Sequence, residues 1–297
     1  MTTPSIVITG ASRGLGLASA QHFYGKGWRV VAAMRSVEDG LDRLRTATGA
    51  SRSDDRLVGV RLDLLDPASI TEAAQQVQDN VGAPDVLVHN AGIAGTGMVE
   101  ETPADLWHTM FATNVFGPVA LTRALLPTMR QAGRGRIVLV SSVSGLRGMP
   151  ATAAYSAAKA ATERWGESLA VEIAPFGLGV TVLVTGTFAT DIIADGGSPD
   201  HRDFDGVYAR HHAGMDLRGH AAIRGAKPAS EFAEQLARHI DKDSGPYARH
   251  AVGRDAAGLV IASRMLSGKS LHRIIRRALA IPPSNSLRTP LVPRAER

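Results

Sequence analysis

The chain of 297 residues contains no cysteine, and aromatic residues make up only 5% of it. Without cysteine it can form no disulfide, no thiol nucleophile, no cysteine-ligated zinc site and no iron–sulfur cluster, which fits a reducing compartment. Long apolar runs are also missing, because residues 137–140 and 179–184 are far shorter than the roughly 18 residues of a membrane-spanning helix. The N-terminus lacks a basic region followed by an apolar stretch, so we expect no secretion signal and a cytoplasmic location.

Positive charge is in small excess and is concentrated at one end of the chain. Lys and Arg outnumber Asp and Glu by 33 to 28, a net charge of +5. Residues 264–297 hold eight of those cations against Glu296 alone, a net charge of +7, so the rest of the chain carries −2. A protein that binds nucleic acid through its main body needs a basic surface there. We therefore expect no nucleic-acid partner.

Short β-branched runs alternate with Ala-rich or amphipathic stretches of helical length. The runs are apolar without alternation, which is typical of strands buried on both faces. Strands are expected at residues 5–9, 29–33, 57–62, 85–89, 136–141 and 178–184, and helices at residues 15–26, 67–80, 103–131 and 151–174. This order predicts an α/β fold, a doubly wound parallel sheet with helices on both faces, whose ligands bind beyond the carboxyl ends of the strands.

The pattern becomes irregular after residue 184. Residues 191–225 are rich in glycine, aspartate and histidine and have no clear period, so we expect a long mobile segment there. A helix is expected at 228–240, a short strand at 250–252 and two last helices at 259–265 and 271–279. The predicted organisation is one main domain over residues 1–254, a C-terminal helical extension over 255–281 and a disordered tail over 282–297.

A glycine-rich turn joins the first strand to the first helix. Glycines there let the backbone approach a pyrophosphate closely, and the N-terminus of the helix offers free N–H groups and a favourable dipole to negative charge. The alternative is a tight connection that needs glycine only for positive φ. The residues expected to hold a dinucleotide in this turn are Gly10, Ser12, Arg13, Gly14, Leu15 and Gly16.

The spacing Gly-x3-Gly-x-Gly of this turn resembles the glycine motif of the short-chain dehydrogenase/reductase family. Further parts of the family's pattern follow in family order over about residues 6–190. They are Asp63-Leu64 after the third strand, Asn90-Ala91-Gly92 at the end of the fourth, Asn114 in the next helix, Ser142 at the end of the fifth and Tyr155-x3-Lys159 thirteen residues later. The resemblance implies a Rossmann-type catalytic domain that uses a nicotinamide cofactor.

The resemblance also implies cofactor contacts. The family residue that matches Asp63 contacts the adenine, with Leu64 beside it, and the triplet Asn90-Ala91-Gly92 lines the cofactor. Most members read Pro-Gly-x-Phe-x-Thr after the sixth strand, whereas this chain reads Thr-Gly-Thr-Phe-Ala-Thr over residues 185–190. Thr185 therefore lacks the fixed φ of proline beside the nicotinamide, while Gly186 and Thr190 are kept as expected cofactor contacts.

The candidate catalytic residues are Asn114, Ser142, Tyr155 and Lys159. A tyrosine hydroxyl is a poor base at its ordinary pKa of about 10, and Lys159, at i+4 in the same helix, places a cation beside Tyr155 and favours the phenolate. We therefore expect Tyr155 to act as acid and base, Lys159 to lower its pKa and Ser142 to stabilise the substrate oxygen. The resemblance implies that Lys159 also binds the ribose and that Asn114 holds a water linking Lys159 to solvent. The alternatives are an ordinary exposed helix pair for Tyr155 and Lys159 and a helix-bending polar residue for Asn114.

The turn after the second strand indicates which cofactor is used. NAD-dependent enzymes place Asp or Glu there for the ribose hydroxyls, and NADP-dependent enzymes place positive charge there for the 2′-phosphate. Residues 32–36 contain no acid. Because Arg13 and Arg35 are placed to clamp a phosphate from two sides, we expect NADP(H). In the alternative, both arginines are solvated and Glu38 or Asp39 accepts hydrogen bonds from the ribose hydroxyls.

A segment at about residues 187–226 is expected to form a lid over the substrate. Its apolar residues suit a lipophilic secondary alcohol, ketone or aldehyde; they are Phe188, Ile192, Ile193, Phe204, Val207, Tyr208 and Met215. Residues 250–280 are loosely similar to the C-terminus of relatives that act on steroids, retinoids or long-chain aldehydes. His201, His211, His212 and His220 lack cysteine partners and helical His-x3-His spacing, so we expect them to be solvated and no metal to be bound.

The basic C-terminal tail has three interpretations. It is a solvated, partly disordered end, an amphipathic segment on a membrane surface, or a docking patch for an acidic carrier protein, which would make the chain an acyl or polyketide ketoreductase. A non-catalytic NADP-binding redox sensor is a different class, which typically loses the tyrosine or the lysine. Relatives are commonly dimers or tetramers through the long helices near Asn114 and Tyr155, so we expect a homo-oligomer.

Overall fold

A parallel β-sheet forms the centre of the protein. The structure is a computed structural model that describes residues 3–189, 198–283 and 286. Across these residues the strands are β1 (Ser5–Thr9), β2 (Arg29–Met34), β3 (Leu57–Arg61), β4 (Val86–His89), β5 (Gly135–Ser142), β6 (Leu178–Thr185) and β7 (Tyr247–Val252). They pair in parallel in the order β3-β2-β1-β4-β5-β6-β7. The direction of winding reverses between β1 and β4, where such folds have their binding crevice.

Helices cover both faces of this sheet. In chain order they are α1 (Gly14–Gly25), α2 (Val37–Thr48), α3 (Pro67–Val81), α4 (Ala104–Phe111), α5 (Gly117–Ala132), α6 (Val143–Leu146), α7 (Ala153–Ile173), α8 (Ala209–Arg224), α9 (Ala229–Lys242), α10 (Arg254–Met265) and α11 (Gly268–Ala278). A π-helical turn, Ala112–Phe116, joins α4 to α5, and a 3-10 turn, Ala174–Phe176, follows α7. In the described part of the chain, no helix is long and apolar enough to cross a membrane.

Two hydrophobic cores lie on opposite faces of the sheet, because successive strand residues point to opposite sides. Val7 and Leu87 pack in the core that α3, α5 and α7 cover. Ile6 and Val88 pack in the core that α1, α2 and α9 cover. The predicted fold class, a doubly wound parallel sheet with helices on both faces, is confirmed.

Each predicted strand is present, and the largest difference is in the last one. β7 begins at Tyr247, three residues before the predicted start. Its first residues include Arg249 and His250 and are not a continuous apolar run, because β7 is an edge strand, paired with β6 only among the described strands. α2 is an additional helix that the sequence analysis did not include.

The single helix predicted over residues 103–131 is divided by the π-helical turn. Pro118 has no N–H, so it cannot donate to the carbonyl oxygen of Asn114 four residues earlier. Thr162 Oγ1 of α7 donates to that oxygen instead, at 3.1 Å. The division therefore centres on Asn114, one of the candidate catalytic residues.

The prediction that residues 191–225 form a mobile segment without regular structure is wrong for α8, which occupies residues 209–224. Its inward-facing residues include His212, which is fully buried, and Gly214, where a Cβ would lie 2.9 Å from Ala280 O. A helix that packs through histidine and glycine shows no aliphatic period, which is why its pattern was not recognised. Residues 190–197 lie outside the described part of the chain.

Candidate active site

Ser142, Tyr155 and Lys159 come together at the carboxyl end of β5. Ser142 ends β5 and caps α6, and its Oγ accepts a hydrogen bond from Ser144 N at 3.2 Å. Tyr155 lies in the first turn of α7 and is hydrogen-bonded to Ser142 through its hydroxyl. Lys159 Nζ donates to Val140 O at 2.8 Å and lies 5.7 Å from the centre of the Tyr155 ring. The three side chains that motif spacing singled out therefore share one location.

Burial controls the proton affinities of this group. It raises the pKa of the Tyr155 hydroxyl, and the hydrogen bond with Ser142 offsets part of that effect. It lowers the pKa of Lys159 to about 8, although the charge of Glu163 acts in the opposite direction. The causes of the Tyr155 shift are burial and the Ser142 hydrogen bond, and Lys159 is not one of them. The expected lowering of the Tyr155 pKa by Lys159 stays a prediction.

Asn114 lies beside this group, buried in the π-helical turn. Its side-chain Oδ1 accepts from Ile93 N and its Nδ2 donates to Ile93 O, both at 2.9 Å. A Cβ on Gly92 would lie 2.9 Å from Asn114 Oδ1 and 3.6 Å from Lys159 Nζ, so both residues border the small space at Gly92. The structure thus places Asn114 next to Lys159.

A buried ion pair supports the same strand end. Glu163, one turn after Lys159 in α7, is 1% exposed. Its Oε1 accepts from Ser141 Oγ at 2.8 Å, and its Oε2 accepts from Arg249 Nη2 of β7 at 2.7 Å. The sequence analysis missed both charged residues. The i+4 spacing from Lys159 was a usable signal for Glu163, but no local signal pairs it with Arg249, 86 residues away.

The glycine-rich turn has the shape that a pyrophosphate requires. Gly10 and Gly14 have φ of +70° and +54°. A Cβ on Gly16 would overlap Gly10 O, and one on Gly10 would lie 2.9 Å from Ala91 Cα, so side chains are excluded at both positions. α1 starts at Gly14 with no side-chain cap and no acid in its first turn, which leaves N–H groups and a positive dipole end for an anion. The uncapped terminus favours cofactor binding over a merely tight connection, and Ser12 and Leu15 lie in the same turn.

The two arginines expected at the 2′-phosphate project from adjacent turns. Gly10 N donates to Ala33 O at 2.8 Å, which holds the glycine turn against the end of β2. Arg13 and Arg35 are exposed, and neither forms an ion pair with any described residue. Glu38 and Asp39, the alternative ribose ligands, lie in the first turn of α2, where acids stabilise a helix without any ligand.

The remaining predicted cofactor residues border the same crevice. Asp63 follows β3, and its Oδ1 accepts from Leu65 N at 3.0 Å, whereas Leu64 is buried. Asn90 Nδ2 donates to Thr9 O at 2.9 Å and so joins the ends of β4 and β1. Asn90 therefore has a structural contact that explains its position, with Ala91 and Gly92 following it at the crevice.

The loop after β6 is held by a residue that the sequence analysis missed. Thr185, which stands where relatives have proline, continues β6 and pairs with both Ser142 and Val252. Asp255 Oδ2 accepts from Thr187 N at 2.7 Å, and a Cβ on Gly186 would overlap the Asp255 carboxylate. Gly186 is thus required by packing, while Thr190 lies outside the described residues.

The prediction of solvated loop histidines is wrong for His212. This side chain is fully buried, and its Nε2 is hydrogen-bonded to Glu101 Oε1 at 2.8 Å. The same carboxylate accepts from Met98 N and Asp203 N, so it joins α8 to the loop after β4. His211, its neighbour, has a buried Nδ1 with no hydrogen-bond partner.

One group of side chains elsewhere has the spacing of a metal site. In the described part of the chain, His239, Asp243 and His250 are the residues whose ligand atoms all lie within 4.8 Å of one another. His250 Nε2 is already hydrogen-bonded to Asp243 at 2.9 Å, and its ring stacks on His239 with centres 3.8 Å apart. These contacts account for the group without an ion, and the expectation of no bound metal stays a prediction.

The apolar residues predicted for the lid have different surroundings. Phe188 is 2% exposed and packs edge-on against Phe232, so it belongs to the core. Phe204 and Val207 are exposed, and Tyr208 lines a cavity beside α11. Ile192 and Ile193 lie outside the described residues.

Comparison with known proteins identifies the family. A family model described as short chain dehydrogenase matches residues 4–199, a range that contains all the predicted site residues. The chain belongs to the short-chain dehydrogenase/reductase family. A family member from Streptomyces avermitilis, a short-chain dehydrogenase of solved structure, is 30% identical, with a TM-score of 0.76 over 93% of this chain and 96% of that one. A family structure from Burkholderia phymatum in complex with NAD is 26% identical, with a TM-score of 0.73 over 89% of this chain and 92% of that one.

A curated relative covers a shorter part of the chain. It is the dehydrogenase/reductase SDR family member 7B of Xenopus tropicalis, 38% identical over 191 residues, which are 63% of this chain and 62% of that protein. The match with the same protein of Bos taurus covers 58% of that protein's length. The chain therefore spans about three fifths of the curated relatives it matches.

Proposed function

We propose that the protein is an NADP(H)-dependent oxidoreductase that interconverts a lipophilic ketone or aldehyde and the corresponding alcohol. The observation that carries this proposal is the convergence of Ser142, Tyr155, Lys159 and Asn114 at the carboxyl end of β5, beside the binding crevice. A nicotinamide cofactor, when bound, supplies or accepts the hydride. The fold provides its cradle through the uncapped N-terminus of α1.

The protein's own residues handle the proton and the oxygen. In the reduction, Tyr155 donates a proton to the substrate oxygen as the carbonyl becomes an alcohol. Ser142 Oγ accepts from Ser144 N, so its O–H is the group that donates. With substrate bound, this O–H, which here is hydrogen-bonded with Tyr155, would donate to the substrate oxygen and stabilise developing negative charge. Near neutral pH the Tyr155 hydroxyl is protonated, as proton donation in the reduction requires, and burial raises its pKa further.

Replacement of the tyrosine hydroxyl tests this function. Tyr155→Phe should lower kcat for ketone reduction by at least about 100-fold, the usual contribution of general acid catalysis, while NADPH binding is retained. Tyr247→Phe is the matched control, because Tyr247 lies in β7 and is 37% exposed. The measurement is NADPH absorbance over a panel of ketones and aldehydes. Near-normal turnover by Tyr155→Phe would disprove the mechanism.

The choice of NADP(H) rests on two arginines, Arg13 and Arg35, that lie on adjacent turns and form no ion pair with the part of the chain that the structure describes. Arg35→Ala should weaken NADPH binding by at least about tenfold, since a guanidinium–phosphate contact is a strong charge-assisted interaction. NADH affinity should change little, because NADH lacks the 2′-phosphate. Arg43→Ala is the control, an arginine of α2 that lies outside the turn. Unchanged NADPH affinity in Arg35→Ala would exclude this assignment.

We further propose a homo-oligomer formed through α5 and α7. Large apolar side chains are exposed on or beside these helices: Phe116 is 63% exposed and Val171 is 77% exposed. A second copy of the chain would remove this apolar surface from water. Light scattering of the purified protein measures its molar mass and hence its oligomeric state. A monomer would contradict the proposal.

A further inference from the structure

A cavity of about 740 Å³ lies between α8, α11 and the chain before α7. This volume is within the roughly 300–1,000 Å³ typical of small-molecule sites. Residues 147–150, which line it, connect α6 to α7, and Met149 N donates to Ser156 Oγ at 3.3 Å. Ser156 is the residue after Tyr155, so the connection that lines the cavity is hydrogen-bonded to the turn of α7 that holds Tyr155.

The long wall of the cavity is apolar. Met98 comes from the loop after β4, Met149 and Pro150 from the connection to α7, and Ile275 and Leu279 from the C-terminal part of the chain. Leu271, one turn before Ile275, is 4% exposed. The apolar face of α11 is therefore turned toward the protein and the cavity.

The polar side chains of the lining include two arginines, Arg147 and Arg276, beside Tyr208, His211 and His272. Burial lowers the pKa of His211, so the arginines carry the positive charge. Among the described residues no aspartate or glutamate belongs to the lining, and Glu100 lies behind it, hydrogen-bonded to Tyr208. Two guanidinium groups in largely apolar surroundings are complementary to an anion, because charge-assisted hydrogen bonds are stronger in a low dielectric. A cavity for a neutral lipid would have no need of these groups.

Arg147 is the cation best placed to bind such an anion. It is partly buried in the cavity lining, its Nη2 donates to Gly268 O at 3.4 Å, and it forms no ion pair with any described residue. A backbone carbonyl orients the guanidinium but does not neutralise its charge. The buried Nδ1 of His211, which has no hydrogen-bond partner among the described residues, is a second polar group at the same lining.

We propose that this cavity binds the remote end of an anionic amphiphile, a long apolar chain with a carboxylate or phosphate group that Arg147 binds. The inference rests on the proposed function in one respect: it makes this amphiphile the substrate class of the adjoining Ser142–Tyr155 site. It assigns to α11 the role of a cavity wall.

Direct binding of matched probes tests the site without catalysis. Dodecanoate, dodecyl phosphate and dodecanol have the same chain and differ in the head group, and calorimetry on the full chain measures their affinities. At least one anion should bind tenfold or more tightly than dodecanol, and the tighter anion identifies the head group as carboxylate or phosphate. Equal affinity for dodecanol and both anions would overturn the proposal.

A matched pair of variants separates Arg147 from general surface charge. Arg147→Gln should weaken binding of the tighter anion at least tenfold and leave dodecanol binding within about twofold. Arg264→Gln removes the same charge from an exposed position on α10 and should bind the anion as the unmodified chain does. Equal losses in the two variants would overturn the assignment of Arg147, since only the overall charge would then matter.

Anion binding by calorimetry and carbonyl reduction by NADPH absorbance are separate measurements, so the failure of one proposal can be told from the failure of the other. Tyr155→Phe should bind the anion normally, because the cavity lining does not include Tyr155. Anion binding in a protein that reduces no carbonyl compound would leave the site standing and reject the activity. Carbonyl reduction by a protein that binds neither anion would support the proposed activity and reject the anion site.

Discussion

Glu163 is the buried carboxylate that faces both the catalytic strand and Lys159. It is hydrogen-bonded to Ser141 and paired with Arg249, and its charge raises the pKa of Lys159 against the larger lowering by burial. The balance leaves the pKa of Lys159 at about 8. A lysine that titrates there makes the charge of the site depend on pH.

The first prediction concerns this pH dependence. Lys159 is cationic below its pKa, so kcat/KM for ketone reduction should fall as pH rises through about 8. Glu163→Gln removes the charge that raises the lysine's pKa and should move the midpoint to lower pH. Glu167→Gln, one turn further along α7 and 36% exposed, is the control that should leave the midpoint unchanged. An unshifted midpoint in Glu163→Gln would show that Lys159 does not set the profile.

At the scale of elements, α8 is held by a few polar contacts rather than by an apolar face. Glu101 accepts from His212 of α8, from Asp203 N and from Met98 N. A neutral amide has one acceptor oxygen and two donor hydrogens, so it cannot replace a carboxylate that accepts three bonds. The position of α8 therefore depends on the charge of Glu101.

The second prediction is that Glu101→Gln loosens α8. Hydrogen bonds to a charged group contribute about 1.5–3 kcal/mol, so amide hydrogen exchange in residues 209–224 should accelerate by roughly 10- to 100-fold. Exchange in α3, at the opposite part of the sheet, should not change. Glu172→Gln, an exposed acid on α7, is the control variant. Exchange in α8 equal to that of the unmodified chain would show that other contacts hold the helix.

Across the whole molecule, stability depends on a histidine in the core. His89, at the end of β4, is 4% exposed; its Nε2 is hydrogen-bonded to Thr122 Oγ1 at 2.8 Å, and its Nδ1 has no partner. Burial lowers the pKa of His89 from 6.5 to about 3. Because the unfolded chain binds a proton below pH 6.5 that the folded chain does not bind, acid favours unfolding.

The third prediction concerns the loss of stability in acid that His89 causes. Between about pH 6 and pH 3, His89 should lower the free energy of unfolding by about 1.4 kcal/mol per pH unit as pH falls. His89→Gln should remove this component, so the difference between the variant and the unmodified chain should itself change with pH. Urea denaturation at several pH values measures it. His108→Gln, at an exposed position of α4, should keep the full slope, and a pH-independent difference for His89→Gln would contradict the assignment.

Much of the fold and the candidate site was predictable because the signals were local. Apolar strands, the glycine spacing and the i+4 relation of Tyr155 and Lys159 depend on neighbours in the chain. The partners of Glu163, His212 and Gly186 were not predictable, since Arg249, Glu101 and Asp255 lie 86, 111 and 69 residues away along the chain. The domain boundaries and the roles of individual site residues stay predictions.

The sequence by itself determined the order of the strands, most of the helices between them and the family to which the chain belongs, but not α2 and α8. Hydrophobic periodicity and motif spacing are short-range properties. The tertiary structure decided the charge environment: the raised pKa of Tyr155, the lysine with a pKa of about 8 and the two arginines in the lining of the cavity. The physical reason is that desolvation and charge pairing depend on which distant segments meet. Arg147, which precedes α7, and α11, which the sequence described as part of a basic C-terminal segment, line one cavity for that reason.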